Sequence, residues 1–210
     1  MRITVFGASG GTGTQVVEQA LAAGHEVIAP VRDPSRLTVA HDSLTVLEAD
    51  VRRPESIAPA VVGADAVISS IGSGSRTEVV HSEGTGNIIA AMQAAQTRRL
   101  LVVSAAPVAD DDPNDTVVLR KVMKPLMWRI LRNSYLDMGL MEQQVRRSGL
   151  EWTIVRPPRL TNGSHTGRYR TELDHTLRRG YSISRADLAD LLLRSIEDPA
   201  AVKSVVAVGY

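Results

Sequence analysis

The chain contains no cysteine. That absence excludes disulfides, thiolate nucleophiles and cysteine zinc sites, so any redox chemistry needs a bound cofactor. Aromatic residues make up only 3% of the sequence and the formal net charge is +1, leaving neither stacking platforms nor an electrostatic footprint for nucleic acid. No apolar run approaches the length of a bilayer span, and the N-terminus enters an apolar strand without the layout of a secretory signal. The expectation is a cytoplasmic protein with no nucleic-acid or membrane partner. His25, His41, His81, His165 and His175 show no close pairing and no Glu-containing histidine motif, so no metal site is expected.

Hydrophobic residues at 43% and charged residues at 22% are typical of a globular protein, and 210 residues suit one domain. The chain is organised around Val5-Phe6-Gly7-Ala8-Ser9-Gly10-Gly11-Thr12-Gly13-Thr14. An apolar run from Ile3 leads in, and an amphipathic run through Val16, Val17, Ala20 and Leu21 leads out, stopped by Gly24. Glycines at 7, 10 and 13 allow a tight turn, close approach of backbone to an anion, and close packing of helix on strand. The following helix would direct free N–H groups and its positive end at a pyrophosphate, through Gly7, Ser9, Gly10, Gly11, Thr12 and Gly13.

Strands are expected at His25 to Arg32, Leu44 to Glu48, Asp65 to Ile71 and Leu100 to Val103, with helices from Pro54 and over Glu83 to Gln96. Pro30 is tolerable only near the end of its strand or at an edge-like position. This alternation predicts an α/β fold, a Rossmann-type doubly wound parallel sheet with strand order beginning 3-2-1-4-5. Further on, helices are expected over Thr116 to Arg132 and Leu136 to Arg147, then a strand at Glu151 to Val155 ended by Pro157-Pro158. A short strand at Tyr169 to Leu173, a helix capped by Ser184 and a closing strand at Val205 to Val208 complete the series. Residues 105–147 and 157–183 are expected to elaborate this single domain around a substrate site.

Arg32 ends the second strand, where an NAD site would usually carry Asp or Glu for the ribose 2′-hydroxyl. Arg32 with Arg36 suits the 2′-phosphate of NADP, which a carboxylate would repel. Asp50-Val51 could bracket the adenine and Ser70-Ile71-Gly72 pass near the ribose. Alternatively these are strand-to-loop punctuation, with Asp50 capping a turn. The methionine-containing helix around Met123, Met127, Met138 and Met141 is expected to serve core packing, with an adaptable pocket wall or a subunit interface as the alternative.

The segments Gly7 to Gly13, Val31-Arg32-Asp33-Pro34-Ser35-Arg36-Leu37, Ser82-Glu83-Gly84 with Asn87-Ile88, and Arg147-Ser148-Gly149-Leu150 followed by Arg156-Pro157-Pro158 resemble the atypical short-chain dehydrogenases. Among these the NADPH-dependent flavin and biliverdin-IXβ reductases are most similar, with NmrA-like NADP-binding proteins next. The resemblance implies NADPH as hydride donor, with its nicotinamide near Ser104 and Pro157. Ser104 would be the nearest hydroxyl, bonded either to substrate or carboxamide, or to strand-end backbone. Many relatives use a Tyr-x-x-x-Lys pair for proton transfer. Tyr135 stands near that position, but the fourth residue on is Gly139, and counting back from Ser148-Gly149 places the expected tyrosine at Ser134. Arg159 replaces the histidine that such reductases tend to carry.

The leading expectation is an NADPH-dependent reductase acting as a monomer or homodimer on a small-molecule acceptor, a flavin, quinone or tetrapyrrole. A redox-sensing NADP-binding regulator and a nucleotide-sugar epimerase or dehydratase are the alternatives.

Overall fold

The computed structural model describes residues 1–72, 80–108, 121 and 124–210. The start of the helix expected from Thr116, with Met123, lies outside the described residues.

In chain order the elements are β1 (Arg2–Phe6), α1 (Gly11–Ala22), β2 (Glu26–Val31), β3 (Leu44–Glu48), α2 (Pro54–Val61), β4 (Ala66–Ser69), α3 (His81–Ala94) and β5 (Arg99–Val103). They continue as α4 (Lys124–Arg147), β6 (Glu151–Arg156), β7 (Arg159–Thr161), β8 (Arg170–Leu173), β9 (Ser182–Ser184), α5 (Arg185–Arg194) and β10 (Ser204–Gly209). The main sheet runs β3-β2-β1-β4-β5-β6-β10-β8. All its pairings are parallel except β10 with β8. This is the doubly wound α/β fold expected, reversing direction between β1 and β4.

Two-residue alternation along the strands sends side chains to two apolar layers. Ile3, Val5, Ile68, Leu101 and Val155 pack with Val16, Val17, Leu188 and Leu192 of α1 and α5. Phe6, Val67, Leu100, Val102 and Ile154 pack with Ile57, Ile88, Met92 and Met141 of α2, α3 and α4 on the other face. Thr4 shares that second face and loses no hydrogen bond there, because its hydroxyl donates to Ala60 O at 2.5 Å. Met141 is thus a core residue, as expected of it.

Pro30 lies within β2 opposite Leu47 of β3, but the pairing of β2 with β1 has ended at Ile28. The missing N–H therefore costs no ladder bond, the edge-like placement its chemistry demands.

Three expectations are corrected. The break expected between Arg132 and Leu136 is a kink without an intervening loop: α4 joins two helices across Leu131 (φ −118°, ψ 25°), just ahead of the expected position, and runs on to Arg147. Ser134, Tyr135 and Asp137 are buried and hold this stretch against the domain. The short strand expected over Tyr169 to Leu173 forms as β8, exposed and antiparallel to β10, so the strand expected to close the sheet at Val205 to Val208 is not its edge. Arg99 belongs to β5 and is buried. Its guanidinium donates to Glu151 O, Thr153 Oγ1, Ile196 O and Ser195 O, which satisfies it and terminates α5.

Candidate functional site

The glycine turn joins β1 to α1 at the carboxyl edge of the sheet. Gly7 has φ +78°, and a Cβ there would lie 2.5 Å from Ser70 O at the end of β4. Only glycine fits both demands. Gly10 N donates to Gly7 O at 2.9 Å, Thr14 N to Gly10 O at 2.8 Å and Thr14 Oγ1 to Ala8 O at 3.0 Å, which closes the turn. A Cβ on Gly13 would meet Gly7 O at 2.0 Å, so this glycine lets the helix sit on the strand. Gly10 caps α1 without a side-chain bond, and no acidic residue stands in the first turn. The amides of Gly11, Thr12 and Gly13 have no acceptor among the described residues. Three free donors at the positive end of a helix form an anion cradle. Ser9 is half-buried beside it, and Thr12 is buried.

The neighbouring strand ends line up as expected. Arg32 and Arg36 are exposed beyond β2. The carboxylate between them is occupied: Asp33 accepts Ser35 Oγ at 2.6 Å and Ser35 N at 3.0 Å. The Ser35 hydroxyl, then its amide, lower the Asp33 pKa. Beyond β3, Asp50 Oδ1 accepts Arg52 N at 3.0 Å, which is the turn-capping alternative. Val51 packs where a Cβ on Gly84 would stand, 2.8 Å from its Cγ2, and Asn87 Nδ2 donates to Val51 O at 2.8 Å. Gly84 and Asn87 thus hold the β3 loop against α3. Beyond β4, both Ser70 N and Ser70 Oγ donate to Phe6 O. Ile71 is half-buried and Gly72 exposed.

At the end of β5, Ser104 is buried and its hydroxyl donates to Glu142 Oε1 at 2.7 Å. Arg156 clamps the same carboxylate through Nε at 2.9 Å and Nη2 at 2.5 Å. Ser104 N donates to Val155 O and Ala106 N to Pro157 O, tying this loop to the β6 end. Of the roles open to Ser104, the structure shows its proton engaged within the protein, although by a side chain rather than by backbone. Tyr135 is 4% exposed, with its ring 5.7 Å from that of Trp128, whose Nε1 donates to Pro107 O. Burial pushes the Tyr135 phenol up, the opposite of what a neighbouring lysine would do. Ser134 is buried too.

Three acids that sequence reasoning missed organise the surroundings. Glu142 is one. Asp137 accepts Val80 N, His81 N and Ser82 N at 2.8 to 3.0 Å as well as the Ser82 hydroxyl, capping α3 from α4. Burial raises its pKa, but these hydrogen bonds outweigh that and leave it lowered. Asp187 accepts Thr166 N, Thr166 Oγ1, Gly167 N and the Tyr210 hydroxyl, while Ser184 Oγ caps its amide as expected. Burial again opposes, yet the donors hold Asp187 at about 2. It anchors the segment that connects β7 to β9, the two strands of a small parallel sheet.

The cradle fits the pyrophosphate of a dinucleotide, since three amides without acceptors among the described residues converge there at the positive end of α1. Sheet reversal and glycine cradle together define a Rossmann-type nucleotide-binding domain. The chain belongs to the NAD(P)H-binding family, whose model matches residues 7–199. Among curated relatives, the uncharacterized Bacillus subtilis protein YwnB is 30% identical over 95% of this chain and 93% of its own. The uncharacterized sugar epimerase YhfK of Bacillus subtilis is 32% identical over 69% of this chain and 63% of its own. A wide-type short-chain dehydrogenase/reductase of Veillonella parvula, solved with NADP, matches the fold with a TM-score of 0.80 at 19% identity, over 100% of this chain and 94% of its own. Among the described residues no helix is long and apolar enough to cross a membrane.

Proposed function

We propose that the protein is an NADPH-dependent reductase of a planar conjugated small molecule, a flavin, quinone or tetrapyrrole, similar to the NmrA-like and flavin or biliverdin-IXβ reductases. The observation that carries this reading is the basic end of β2, where Arg32 and Arg36 stand exposed and the carboxylate of Asp33 is turned onto Ser35. Guanidinium groups there pair with a 2′-phosphate through charge-assisted bonds. NADPH, when bound, supplies the hydride. The amides of Gly11, Thr12 and Gly13 would hold its pyrophosphate, and the loops carrying Val51, Ile71 and Gly72 would flank its adenosine half. Ser104 and Pro157 would close the nicotinamide end. With the Ser104 hydroxyl donating to Glu142, and Gly139 standing where the lysine of a Tyr-x-x-x-Lys pair would follow Tyr135, water would supply the proton that completes reduction. The chain's contribution is then positioning and exclusion of competing reactions.

A second reading, a nucleotide-sugar epimerase, is favoured by the relative YhfK. It requires a tyrosine of lowered pKa, whereas burial raises that of Tyr135. Following NADPH oxidation against flavins, quinones and tetrapyrroles, alongside epimerisation of nucleotide sugars, separates the two. Turnover of a planar acceptor supports the reductase; tight NADPH binding without turnover of any acceptor would leave a redox-sensing binder in its place.

A further inference from the structure

The first residue of α5 reaches across the fold to the glycine turn. Cδ and Nε of Arg185 lie 2.9 Å from where a Cβ on Gly11 would stand, so the arginine stem rests on the bare Cα of the first residue of α1. The three heavy atoms nearest that position, Cδ, Nε and Cζ, all belong to Arg185. Gly11 is not required by a positive φ or by backbone crowding; its lack of a side chain serves Arg185. The guanidinium is fixed by Nη1, which donates to Asn162 Oδ1 at 2.6 Å, just beyond β7.

Neither contact brings a negative charge. Among the described residues Arg185 forms no ion pair. The first turn of α1 likewise contains no acid and no side-chain cap. A full positive charge therefore faces the positive end of a helix with unengaged amides. That arrangement is repulsive by itself and becomes attractive once an anion lies between the two.

We infer that Arg185 binds the dinucleotide pyrophosphate together with the amides of Gly11, Thr12 and Gly13, with Asn162 as the residue that orients it. The inference rests on the dinucleotide reading of the turn, and on neither the 2′-phosphate nor the acceptor. It assigns a ligand contact to a residue that comes 172 positions after Gly13, on the last helix. Because NADH and NADPH share the pyrophosphate, Arg185 acts on both alike.

The test is a titration of the full chain with NADPH and with NADH, read by nicotinamide fluorescence, for the wild type, Arg185→Ala, Arg185→Lys and Gly11→Ala. One charge-assisted contact corresponds to about 10- to 100-fold in affinity. Arg185→Ala is expected to weaken both dinucleotides by the same factor within that range and to flatten the salt dependence of binding. Arg185→Lys recovers part of the loss. Gly11→Ala displaces the flexible arginine and weakens both dinucleotides with an unchanged thermal melt, so the inference stays testable should one Arg185 variant fold poorly. Wild-type binding with Arg185→Ala affinities unchanged within about twofold would overturn the inference, as would a rise only in the acceptor's KM, which would place Arg185 on the acceptor. A folded wild type that binds neither dinucleotide would overturn the dinucleotide reading itself, a distinguishable result.

Discussion

A Cβ on Gly13 would stand 2.0 Å from the carbonyl oxygen of Gly7, an atom of backbone that no rotamer change can move. The contact holds α1 on the end of β1 and shapes the anion cradle at once. Gly13→Ala is therefore expected to destabilise the fold by roughly 3 kcal/mol and to abolish dinucleotide binding. Urea denaturation together with NADPH titration measures both losses, and a stable variant with normal affinity would contradict the close packing.

Coenzyme choice is expected to turn on Arg32. Arg32→Asp places a carboxylate where the 2′-phosphate would lie, replacing attraction with repulsion. NADPH affinity should fall by at least about tenfold while NADH affinity changes little. Equal affinities before and after the change would remove the basis for preferring NADPH.

The Ser104, Glu142 and Arg156 network predicts unequal costs within one cluster. Ser104→Ala removes one donor from a carboxylate that Arg156 still satisfies, at about 1 kcal/mol. Glu142→Ala strands the largely buried guanidinium of Arg156 and should cost about 3 to 5 kcal/mol. Chemical denaturation of the two variants checks the order, and a reversed order would mean that Arg156 finds another partner.

Acid should loosen the C-terminal segment through Asp187. Its carboxyl sits at about 2 in the folded protein against an ordinary 3.8. A depressed folded value contributes stability that is fully present above the unfolded value and is lost as pH falls toward the folded one. The stabilisation should therefore persist above about pH 4 and fade between about pH 4 and pH 2. Asp187→Asn, compared with wild type by urea midpoints across that range, should show a smaller loss on acidification. Parallel curves would mean that other carboxyls dominate.

The strand-helix alternation through β5 was legible because strands buried on both faces are continuous apolar runs, punctuated by Gly24 and Pro54. The glycine turn was legible because backbone geometry at Gly7 and Gly13 admits no other residue. Glu142, Asp137 and Asp187 were not. An acid on a helix looks solvated until its partners are known, and Ser82 lies 55 residues from Asp137 while Ser104 lies 38 from Glu142. Strands β7 and β9, at three residues each, are too short to show a period. The edge strand β8 is exposed along its length, so it carried no burial signal for its place in the sheet. At Asp50 the local signal was ambiguous by nature, since a turn cap and a ligand contact call for the same residue.

The sheet order has a consequence for amide hydrogen exchange. Strands β1, β4 and β5 are paired on both sides and covered on both faces, whereas β3 and β8 are edges. The amides of β1, β4 and β5 should open only with global unfolding, while those of β8 exchange through local fraying. The strands that exchange most slowly are the ones whose carboxyl ends carry Gly7, Ser70 and Ser104. The crevice thus draws its floor from the least yielding part of the molecule and can keep its shape while the margins breathe.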